Sequence, residues 1–471
     1  MPVADSVGLR CLTDEPWLAE RLAAGGLGAE AAEAKVGRFA RCARALRRAG
    51  AAPDAAARAF FVPGRIEVLG KHTDYAGGSS LVAAPERGFC LIAAARDGAT
   101  VRILALDFDD AAEFAVADDL APTVGHWSNY PMTTARRLAR NFGDDLRGAD
   151  VAFSSDLPPA AGMSSSSALM VAFYLALAAV NRLDERPEYR ENIATPESLA
   201  EYLGTVENGQ TFGSLVGDKG VGTFGGSEDH TAMLCCRPGM LSQYAYCPTR
   251  PQRTIPLPAG YTFAVASSGI AAEKTGEAME QYNRASRQAS AVAAAWRNAT
   301  GRDDATIADA LWSSDPKDAA AEMRTILATP PADGTFSADE LAARFEHFWA
   351  ENTEILPAAG DALAGGDWDE FGRLVDRSQR LAETLLGNQV PQTVFLARSA
   401  RELGAAAASA FGAGFGGSVW AMVREDEAAA FLETWAARYA QAHAAEAGDA
   451  SFFATRPGPA AFELAAGDYI L

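Results

Sequence analysis

Apolar residues recur at helical spacing over residues 16–59, and this pattern predicts one or two helices that break at Gly25-Gly26. Downstream, shorter apolar runs bounded by Gly and Pro predict strands at 60–62, 66–69, 91–95, 101–106, 151–155, 261–267 and 418–423. Longer runs predict helices at 131–141, 165–181, 196–208, 277–297 and 341–352. Because helices and strands mix without regular β-α-β alternation, the pattern predicts an α+β fold rather than a doubly wound sheet.

Three segments interrupt this pattern. A glycine-rich stretch at 213–226 predicts a loop. Residues 248–258 contain four prolines and few apolar side chains, which predicts a linker. Residues 301–340 are rich in Asp, Ala, Thr and Pro, and they predict short helices in an exposed insertion.

Composition narrows the classes of protein that fit. The chain has 471 residues, of which 49% are hydrophobic, so it can bury a sizeable core in two or three domains. Its net charge of −20 argues against nucleic acid or an anionic membrane as a partner. The longest apolar run, at 168–180, is too short to span a bilayer, and the N-terminus lacks a signal-peptide pattern. Six scattered cysteines without a C-x-x-C pair predict reduced thiols in a cytoplasmic protein.

Residues 157–168 place a loop of small residues between a predicted strand and a predicted helix. Small side chains let backbone N–H groups approach an anion, and the helix N-terminus adds about half a positive charge. The serines at 164–167 add hydroxyls for a phosphate or for magnesium. The segment predicts a phosphate-binding loop without the Lys of a Walker motif, and a serine-rich helix start without a ligand is the alternative.

Three further segments concentrate polar groups or glycines. Residues 63–78 place Arg65, Lys71, His72 and Asp74 around a short apolar strand, which suits a polyhydroxylated ligand, although a polar turn fits equally well. Residues 411–419 form a dense glycine loop that a tight turn would also explain. Asp229 follows two glycines and could orient or deprotonate a hydroxyl nucleophile, whereas a plain helix N-terminus is the alternative.

Together and in this order, the segments resemble the motifs of the GHMP small-molecule kinases, and those of the galactokinase family most closely. Residues 64–78 resemble the signature Gly-Arg-x-x-x-x-Gly-x-His-Thr-Asp-Tyr-x-Gly-Gly. Residues 158–166 are similar to Pro-x-x-x-Gly-Leu-Ser-Ser-Ser, with Met163 in the Leu position, and residues 412–417 match Gly-Ala-Gly-Phe-Gly-Gly. The likeness covers residues 60–425. It implies a two-domain α+β fold, with a ribosomal-S5-domain-2-like domain at 1–250 and a ferredoxin-like domain at 251–471.

The resemblance also implies a reaction, cofactors and roles for individual residues. Asp229 is expected to accept or orient the proton of a sugar C1 hydroxyl, and Arg65 to stabilise charge on the moving phosphoryl group. ATP and Mg²⁺ are the implied cofactors, with magnesium held by Ser166 (or its neighbour Ser165) and Glu207. The gap from Glu207 to Asp229 is longer than in typical galactokinases. The residues expected to contact ATP are Ala161, Gly162, Met163, Ser164, Ser165, Ser166 and Trp127, and those expected to contact the sugar are Lys71, His72, Asp74 and Tyr282. An ordinary core residue is the alternative for Trp127.

Two positions depart from the family pattern and leave the sugar open. Lys71 stands where the family carries Glu, a residue expected to bind the hydroxyl on C6, and Glu67 stands where it carries Asn. Lys71 could pair with a C6 carboxylate, which would make the substrate a uronic acid. Alternatively, Lys71 and Glu67 neutralise each other, or Lys71 donates to the C6 hydroxyl. Galactose or a close aldose is the favoured substrate, and a uronic acid or a pentose is the alternative.

Two other classes remain as alternatives. A non-catalytic sugar and ATP sensor could use the same fold, although the phosphate loop, Arg65 and Asp229 are all present here. A GHMP kinase for a non-sugar alcohol is disfavoured by the His-Thr-Asp-Tyr run at 72–75. The expected partners are a small sugar and ATP, with no nucleic acid and no membrane, and the protein is expected to be a monomer or weak dimer.

Overall fold

A computed structural model of the chain describes residues 6–143, 145–272, 276–329 and 334–465. Its strands are β1 (Val7–Gly8), β2 (Ala56–Pro63), β3 (Ile66–Leu69), β4 (Ser79–Ala83), β5 (Gly88–Ala95), β6 (Thr100–Ala105), β7 (Asp110–Ala115), β8 (Ala149–Ser155), β9 (Met240–Ala245), β10 (Arg250–Pro256), β11 (Tyr261–Ser267), β12 (Ala407–Phe411), β13 (Ser418–Arg424), β14 (Ser451–Thr455) and β15 (Phe462–Glu463).

Its helices are α1 (Glu15–Ala24), α2 (Ala29–Arg48), α3 (Asn129–Phe142), α4 (Ser165–Asn181), α5 (Pro187–Asn192), α6 (Pro196–Asn208), α7 (Glu228–Cys235), α8 (Gly276–Thr300), α9 (Ile307–Trp312), α10 (Pro316–Leu327), α11 (Ala338–Trp349), α12 (Leu356–Gly365), α13 (Trp368–Leu381), α14 (Pro391–Glu402) and α15 (Ala428–Ala442). A π-helical stretch, Ala350–Ile355, joins α11 to α12. The α+β prediction is confirmed.

The strands form three mostly antiparallel sheets. The first has the order β1-β2-β5-β8-β6-β7, and β15 also pairs with β2, so the end of the described chain returns to the first sheet. Among the described strands of this sheet, β6 and β8 run parallel, and the other pairs are antiparallel. The second sheet has the order β10-β9-β4-β3, and the third has the order β12-β13-β11-β14. The division into domains at residue 250 stays a prediction.

Two cores lie on opposite faces of the first sheet, because side chains alternate along its strands. Phe60 of β2 packs in the larger core with Phe173 of α4, whereas the neighbouring Phe61 packs with Leu18 and Phe39 of α1 and α2. The apolar run at 168–180 thus lies within α4, which is buried from Ser167 to Leu177. The described part of the chain contains no helix long and apolar enough to cross a membrane.

The linker prediction for residues 248–258 is wrong. Residues 250–256 form β10, which pairs antiparallel with β9 at the edge of the second sheet. Pro251 and Pro256 are tolerated because an edge strand presents one row of backbone groups that need no strand partner.

The prediction for residues 301–340 is half right. Short helices form there as α9 and α10, but they are not an exposed insertion. Ile307, Leu311 and Met323 are fully buried and share a core with Trp296 and Phe345. Residues 330–333 lie outside the described residues. This helical cluster also contacts the 63–78 segment, because a Cβ on Gly77 would lie 2.6 Å from Thr306 Oγ1.

Candidate active site

A cleft of about 550 Å³ opens where the loop after β3, the loop before α4 and the start of α7 meet. Its volume suits a small ligand or cofactor. Its lining brings together most of the side chains that the sequence motifs single out: Arg65, His72, Asp74, Trp127, Gly162, Ser164, Ser165, Ser166, Glu207, Asp229 and Tyr282. Ala161, Met163 and Lys71 are buried and are not among the residues that line it.

The loop before α4 has the backbone of an anion cradle. Ala160, Gly162 and Ser164 all have positive φ angles, of 49°, 73° and 57°, and the helix starts directly after them at Ser165. When every second residue of a loop has a left-handed backbone conformation, successive N–H groups point toward the same side. The N-terminus of the following helix adds partial positive charge there. Ala161 and Met163 are almost fully buried, so their side chains anchor the loop, and their predicted contact to ATP would have to be through the backbone.

The second glycine loop, residues 412–417, supports the first one. Ser418 Oγ donates to the carbonyl of Ala161 at 2.7 Å. A Cβ on Gly412 would lie 2.6 Å from the carbonyl oxygen of Gly162, so only glycine permits this approach. The sequence signal for the 412–417 loop was weak because its partner is 250 residues away in the chain.

Arg65 and Asp229 form an ion pair inside the cleft. Arg65 is 4% exposed, and its Nη2 and Nε lie 2.6 and 2.8 Å from Asp229 Oδ1. Its Nε also lies 3.4 Å from Glu228 Oε1. Burial disfavours the charged guanidinium, but the carboxylates of Asp229 and Glu228 outweigh that effect and raise the pKa of Arg65 above its ordinary value. Arg65 is therefore a permanent cation beside two acidic groups.

Ser167 links Asp229 to Glu207, the predicted magnesium ligand. Its Oγ donates to Glu207 Oε2 at 2.7 Å and lies 3.3 Å from Asp229 Oδ2. Glu207, near the end of α6, also lies 3.4 Å from Thr223 Oγ1 and from His230 Nε2. Sequence reasoning singled out Ser166 and missed Ser167, because a run of four serines does not show which hydroxyl faces the cleft and which faces Glu207.

His72 lines the cleft but is held by protein partners on both ring nitrogens. Its Nδ1 lies 2.8 Å from the Tyr75 hydroxyl and its Nε2 lies 3.0 Å from the carbonyl of Ala413, so Nε2 donates and Nδ1 accepts. Burial lowers the pKa of His72 to about 3, so the ring is neutral. His72 thus ties the 63–78 segment to the second glycine loop, and a direct hydrogen bond to a sugar stays a prediction.

Asp74 lies beside the start of α7. Its Oδ2 accepts from the backbone N–H of Glu228 at 3.3 Å. Gly226 lets the chain pass close by, because a Cβ there would lie 2.5 Å from the same oxygen. Desolvation, with the nearby charge of Asp229, raises the pKa of Asp74. Asp74 and Tyr282, whose ring lies 5.4 Å from that of His72, occupy the same end of the cleft as Asp229.

Lys71 does not reach the cleft. It is fully buried, and its Nζ donates to Ser409 Oγ of β12 at 2.9 Å. Ser409 in turn donates to Gln379 Oε1 at 2.9 Å. The structure therefore does not bring Lys71 to the cleft with the other predicted sugar-binding residues. Its ammonium group instead connects the 63–78 segment to the third sheet through the hydrogen bond to Ser409.

The opposite end of the cleft is aromatic. Trp127 packs edge-on to Phe153 with ring centroids 5.6 Å apart, and its Nε1 donates to Asp110 Oδ2 at 2.7 Å. Phe108, which is 51% exposed, lies in contact with the same Phe153 ring. Sequence reasoning found Trp127 but missed the two phenylalanines, which occur in strand or loop segments without a distinguishing motif. This end offers apolar faces of the kind that a flat heterocycle stacks on.

Comparison with known proteins shows which families the chain is similar to. Residues 129–214 match the model for the N-terminal domain of GHMP kinases, residues 359–441 the C-terminal model, and residues 48–96 the galactokinase galactose-binding signature. A galactokinase from Roseiflexus is 29% identical over 381 residues, covering 80% of this chain and 86% of that protein. One from Chloroflexus aggregans is 28% identical over 400 residues, covering 83% and 89%.

Solved structures share the fold. The galactokinase of Lactococcus lactis, complexed with galactose, has a TM-score of 0.68 at 21% identity and covers 86% of this chain and 95% of its own. The mevalonate kinase of Methanococcus jannaschii has a TM-score of 0.51 at 12% identity and covers 85% and 98%. The chain thus carries matches to the N-terminal and C-terminal domains of the GHMP kinases, a class of ATP-dependent kinases. Within that class it is galactokinase-like, with a match to the galactose-binding signature and galactokinase relatives at 29% identity.

Proposed function

We propose that this chain transfers the γ-phosphoryl group of ATP to the C1 hydroxyl of galactose or a close aldose. The observation that supports this most strongly is the buried ion pair of Arg65 and Asp229 beside the cradle at 160–164. The relatives named galactokinase and the galactose-binding signature support galactose as the acceptor. The proposal includes a cytoplasmic protein that acts as a monomer or weak dimer, with the domains divided near residue 250.

The cradle fits the phosphates of ATP, and the aromatic end fits its base. Backbone N–H groups of residues 161–166 would point at phosphate oxygens, and Ser164, Ser165 and Ser166 would add hydroxyl donors. Trp127 would lie against the adenine. In this proposal the nucleotide takes one end of the cleft and the sugar the other, so that the transferred phosphoryl group would lie between them.

Glu207 and Ser166 offer the carboxylate and hydroxyl oxygens that magnesium prefers. Within the described residues, no three or more His, Cys, Asp or Glu side chains converge as a metal cluster. Magnesium is commonly bound through one or two protein ligands together with the phosphates of its nucleotide. When bound, the ion would neutralise charge on the phosphates.

Asp229 and Arg65 would perform the transfer itself. The C1 oxygen attacks the γ-phosphorus, the bond to the bridging oxygen of ADP breaks, and Asp229 orients the hydroxyl and takes its proton. Arg65 holds the Asp229 carboxylate and stands ready to stabilise negative charge on the phosphoryl oxygens. Phosphoryl transfer depends mainly on positioning and electrostatics, which these two groups supply.

A panel of sugars tests the proposal. ADP release would be measured with galactose, galacturonate and arabinose, each with ATP and magnesium, and without sugar as the blank. We expect galactose-dependent turnover well above the blank. A protein that binds sugar and ATP but turns over no member of the panel would instead be a sensor on the same fold.

A further inference from the structure

A buried arginine lies behind the sugar end of the cleft. Arg344 is on α11 and is only 1% exposed. Its partners among the described residues are backbone carbonyls and rings rather than carboxylates. Its Nη2 donates to the carbonyl of His72, its Nε lies 3.4 Å from that of Ala285, and its guanidinium carbon lies 5.8 Å from the Tyr75 ring centroid. Burying a cation against neutral partners is costly, so the position of Arg344 calls for an explanation.

The carbonyl that Arg344 holds belongs to a residue with an unusual backbone. His72 has a φ of 56°, a left-handed conformation that a residue with a side chain seldom adopts. Such a conformation persists only where the surrounding contacts hold it. Tyr75 and the carbonyl of Ala413 fix the ring of His72, and Arg344 fixes its carbonyl. Together these contacts set the direction in which the chain continues to Asp74, which lines the cleft.

The other end of the same turn is also held by this part of the chain. Asn352, in the π-helical stretch after α11, accepts from the backbone N–H of Ser79 at 2.6 Å and donates to the carbonyl of Phe348 at 2.9 Å. A Cβ on Gly78 would lie 2.7 Å from Asn352 Oδ1, so this close approach depends on glycine. Local π-helical turns occur frequently at functional sites. The helix and the stretch after it therefore hold residues 72–79 at both ends.

The two side chains act at a distance from any ligand in the cleft. Neither Arg344 nor Asn352 is among the residues that line it, whereas Asp74, which lies between their two points of contact, is. A displacement of about 1 Å at a group that positions a substrate can cost about 100-fold in rate. The contacts made by Arg344 and Asn352 are therefore sufficient to control how well Asp74 meets its ligand.

We infer that Arg344 is a positioning residue for the sugar pocket, which holds the His72 carbonyl and so keeps Asp74 directed at the sugar without touching the sugar itself. Asn352 performs the same task at Ser79. This deepens the proposed function and rests on it, because that proposal assigns Asp74 to the sugar. The sugar is then bound by a turn from the first half of the chain whose shape is set by a helix from the second half.

A structural role and a positioning role of Arg344 predict different kinetics. If Arg344 only stabilises the fold, Arg344→Met lowers the fraction of active protein, which reduces kcat and leaves both KM values unchanged. If Arg344 positions Asp74, the KM for galactose should rise by about 10-fold or more, because a hydrogen bond from a charged donor has been lost. The KM for ATP should stay within about 3-fold of wild type.

Two other arginine variants serve as comparisons. Arg344→Lys keeps the charge and a donor but loses the planar fork, so its KM for galactose should lie between those of wild type and Arg344→Met. Arg324→Met is the matched control. Arg324 lies on the neighbouring helix α10, donates to Glu346 Oε1 at 2.6 Å and is not part of the cleft lining. Its loss should leave both KM values within about 3-fold of wild type.

The experiment combines steady-state kinetics with calorimetric titrations of galactose and of ATP, and melting temperatures are recorded for every variant. We expect Arg344→Met to bind galactose at least about 10-fold more weakly at unchanged stoichiometry, and to bind ATP as wild type does. Asn352→Ala removes the acceptor for the Ser79 N–H and should weaken galactose binding by about 3- to 10-fold. This variant decides the question if Arg344→Met does not fold.

Two results would overturn the inference: an Arg344→Met protein that binds galactose as tightly as wild type, or one that loses affinity for galactose and ATP equally. If that protein does not fold, unchanged galactose affinity in Asn352→Ala has the same meaning. Each of these, with galactose still phosphorylated by wild type, leaves the proposed function standing. A wild type that binds galactose but phosphorylates no sugar would refute the proposed function, and the titrations would still test Arg344.

Discussion

Replacement of Lys71 by Met tests whether this lysine reads the substrate or holds the protein together. The change keeps the length of the side chain and removes its charge. Lys71 Nζ donates to Ser409 Oγ at 2.9 Å in a fully buried setting, and a hydrogen bond from a charged donor contributes about 1.5–3 kcal/mol. Burial raises the pKa values of the carboxyls of Glu67 and Glu351, and the charge of Lys71 opposes that rise.

Without the positive charge of Lys71, the ionised forms of Glu67 and Glu351 are less stable in the protein interior, although each carboxyl can become neutral by binding a proton. Combining the two effects, we expect Lys71→Met to lower the free energy of unfolding by about 2–4 kcal/mol. The ratio of kcat/KM for galactose and galacturonate should change by less than about 3-fold, because Lys71 does not line the cleft.

Urea unfolding at pH 7 measures the stability, and steady-state kinetics below the transition measure the ratio. Lys317→Met, which alters an exposed lysine on α10, is the control for loss of one positive charge. A Lys71→Met protein as stable as wild type, with selectivity shifted by more than about 10-fold toward the neutral sugar, would refute the reasoning. Lys71 would then be the residue that binds a substrate carboxylate.

Three further predictions concern other parts of the cleft. Ser167→Ala removes the hydroxyl that donates to Glu207 at 2.7 Å, so kcat should fall by about 10- to 100-fold while the KM for sugar stays within about 3-fold, as steady-state kinetics would show. Trp127→Ala removes an aromatic wall of the cleft and should raise the KM for ATP by about 10-fold without affecting the KM for sugar, and an equal rise in both would contradict this. Burial raises the pKa of Glu228 in the folded protein. In the unfolded chain the same carboxyl loses its proton above about pH 4.3. The free energy of unfolding should therefore fall as the pH rises from about 4.3 toward the raised pKa of the folded protein. Glu228→Gln should therefore reduce the loss of melting temperature between pH 5 and pH 8, and an unchanged loss would mean that Glu228 is ionised in the folded protein.

The sequence predicted best those elements whose cause is local. Helix α4 begins and ends at the predicted residues, 165 and 181, because a long apolar run defines it. Helix α6 also matches its predicted bounds, 196 and 208, because Thr195 caps its N-terminus and Pro196 follows directly. The strand at 261–267 was also predicted at its observed bounds. By contrast, β10 was taken for a linker, because four prolines dominate its local pattern and its pairing with β9 is invisible in that window.

The site shows the same division. The motifs identified Arg65, Asp229 and the serine loop, and the fold brings them to one cleft. The direction of Lys71 could not be predicted, because it depends on Ser409, which is 338 residues away. Glu228 was overlooked for a related reason. An acid at a helix start is ordinary, and only its burial, with Oε1 3.4 Å from Arg65 Nε, makes it unusual.

The net charge of −20 first argued against anionic ligands. The proposed nucleotide site depends instead on local groups, namely the N–H groups at the start of α4 and the buried Arg65. The net charge of −20 is therefore a property of the whole chain and does not argue against an anionic ligand in this cleft.

Identification of the phosphorylated product tests the central claim most directly. Wild type and Asp229→Asn would each be incubated with galactose, ATP and magnesium, and the product followed by phosphorus NMR and mass spectrometry. We predict galactose 1-phosphate formed in equal amount to ADP, with the rate in Asp229→Asn lower by about 100- to 10,000-fold while galactose still binds. ADP formation without a sugar phosphate, phosphate on a different hydroxyl, or an Asp229→Asn rate equal to wild type would contradict the account.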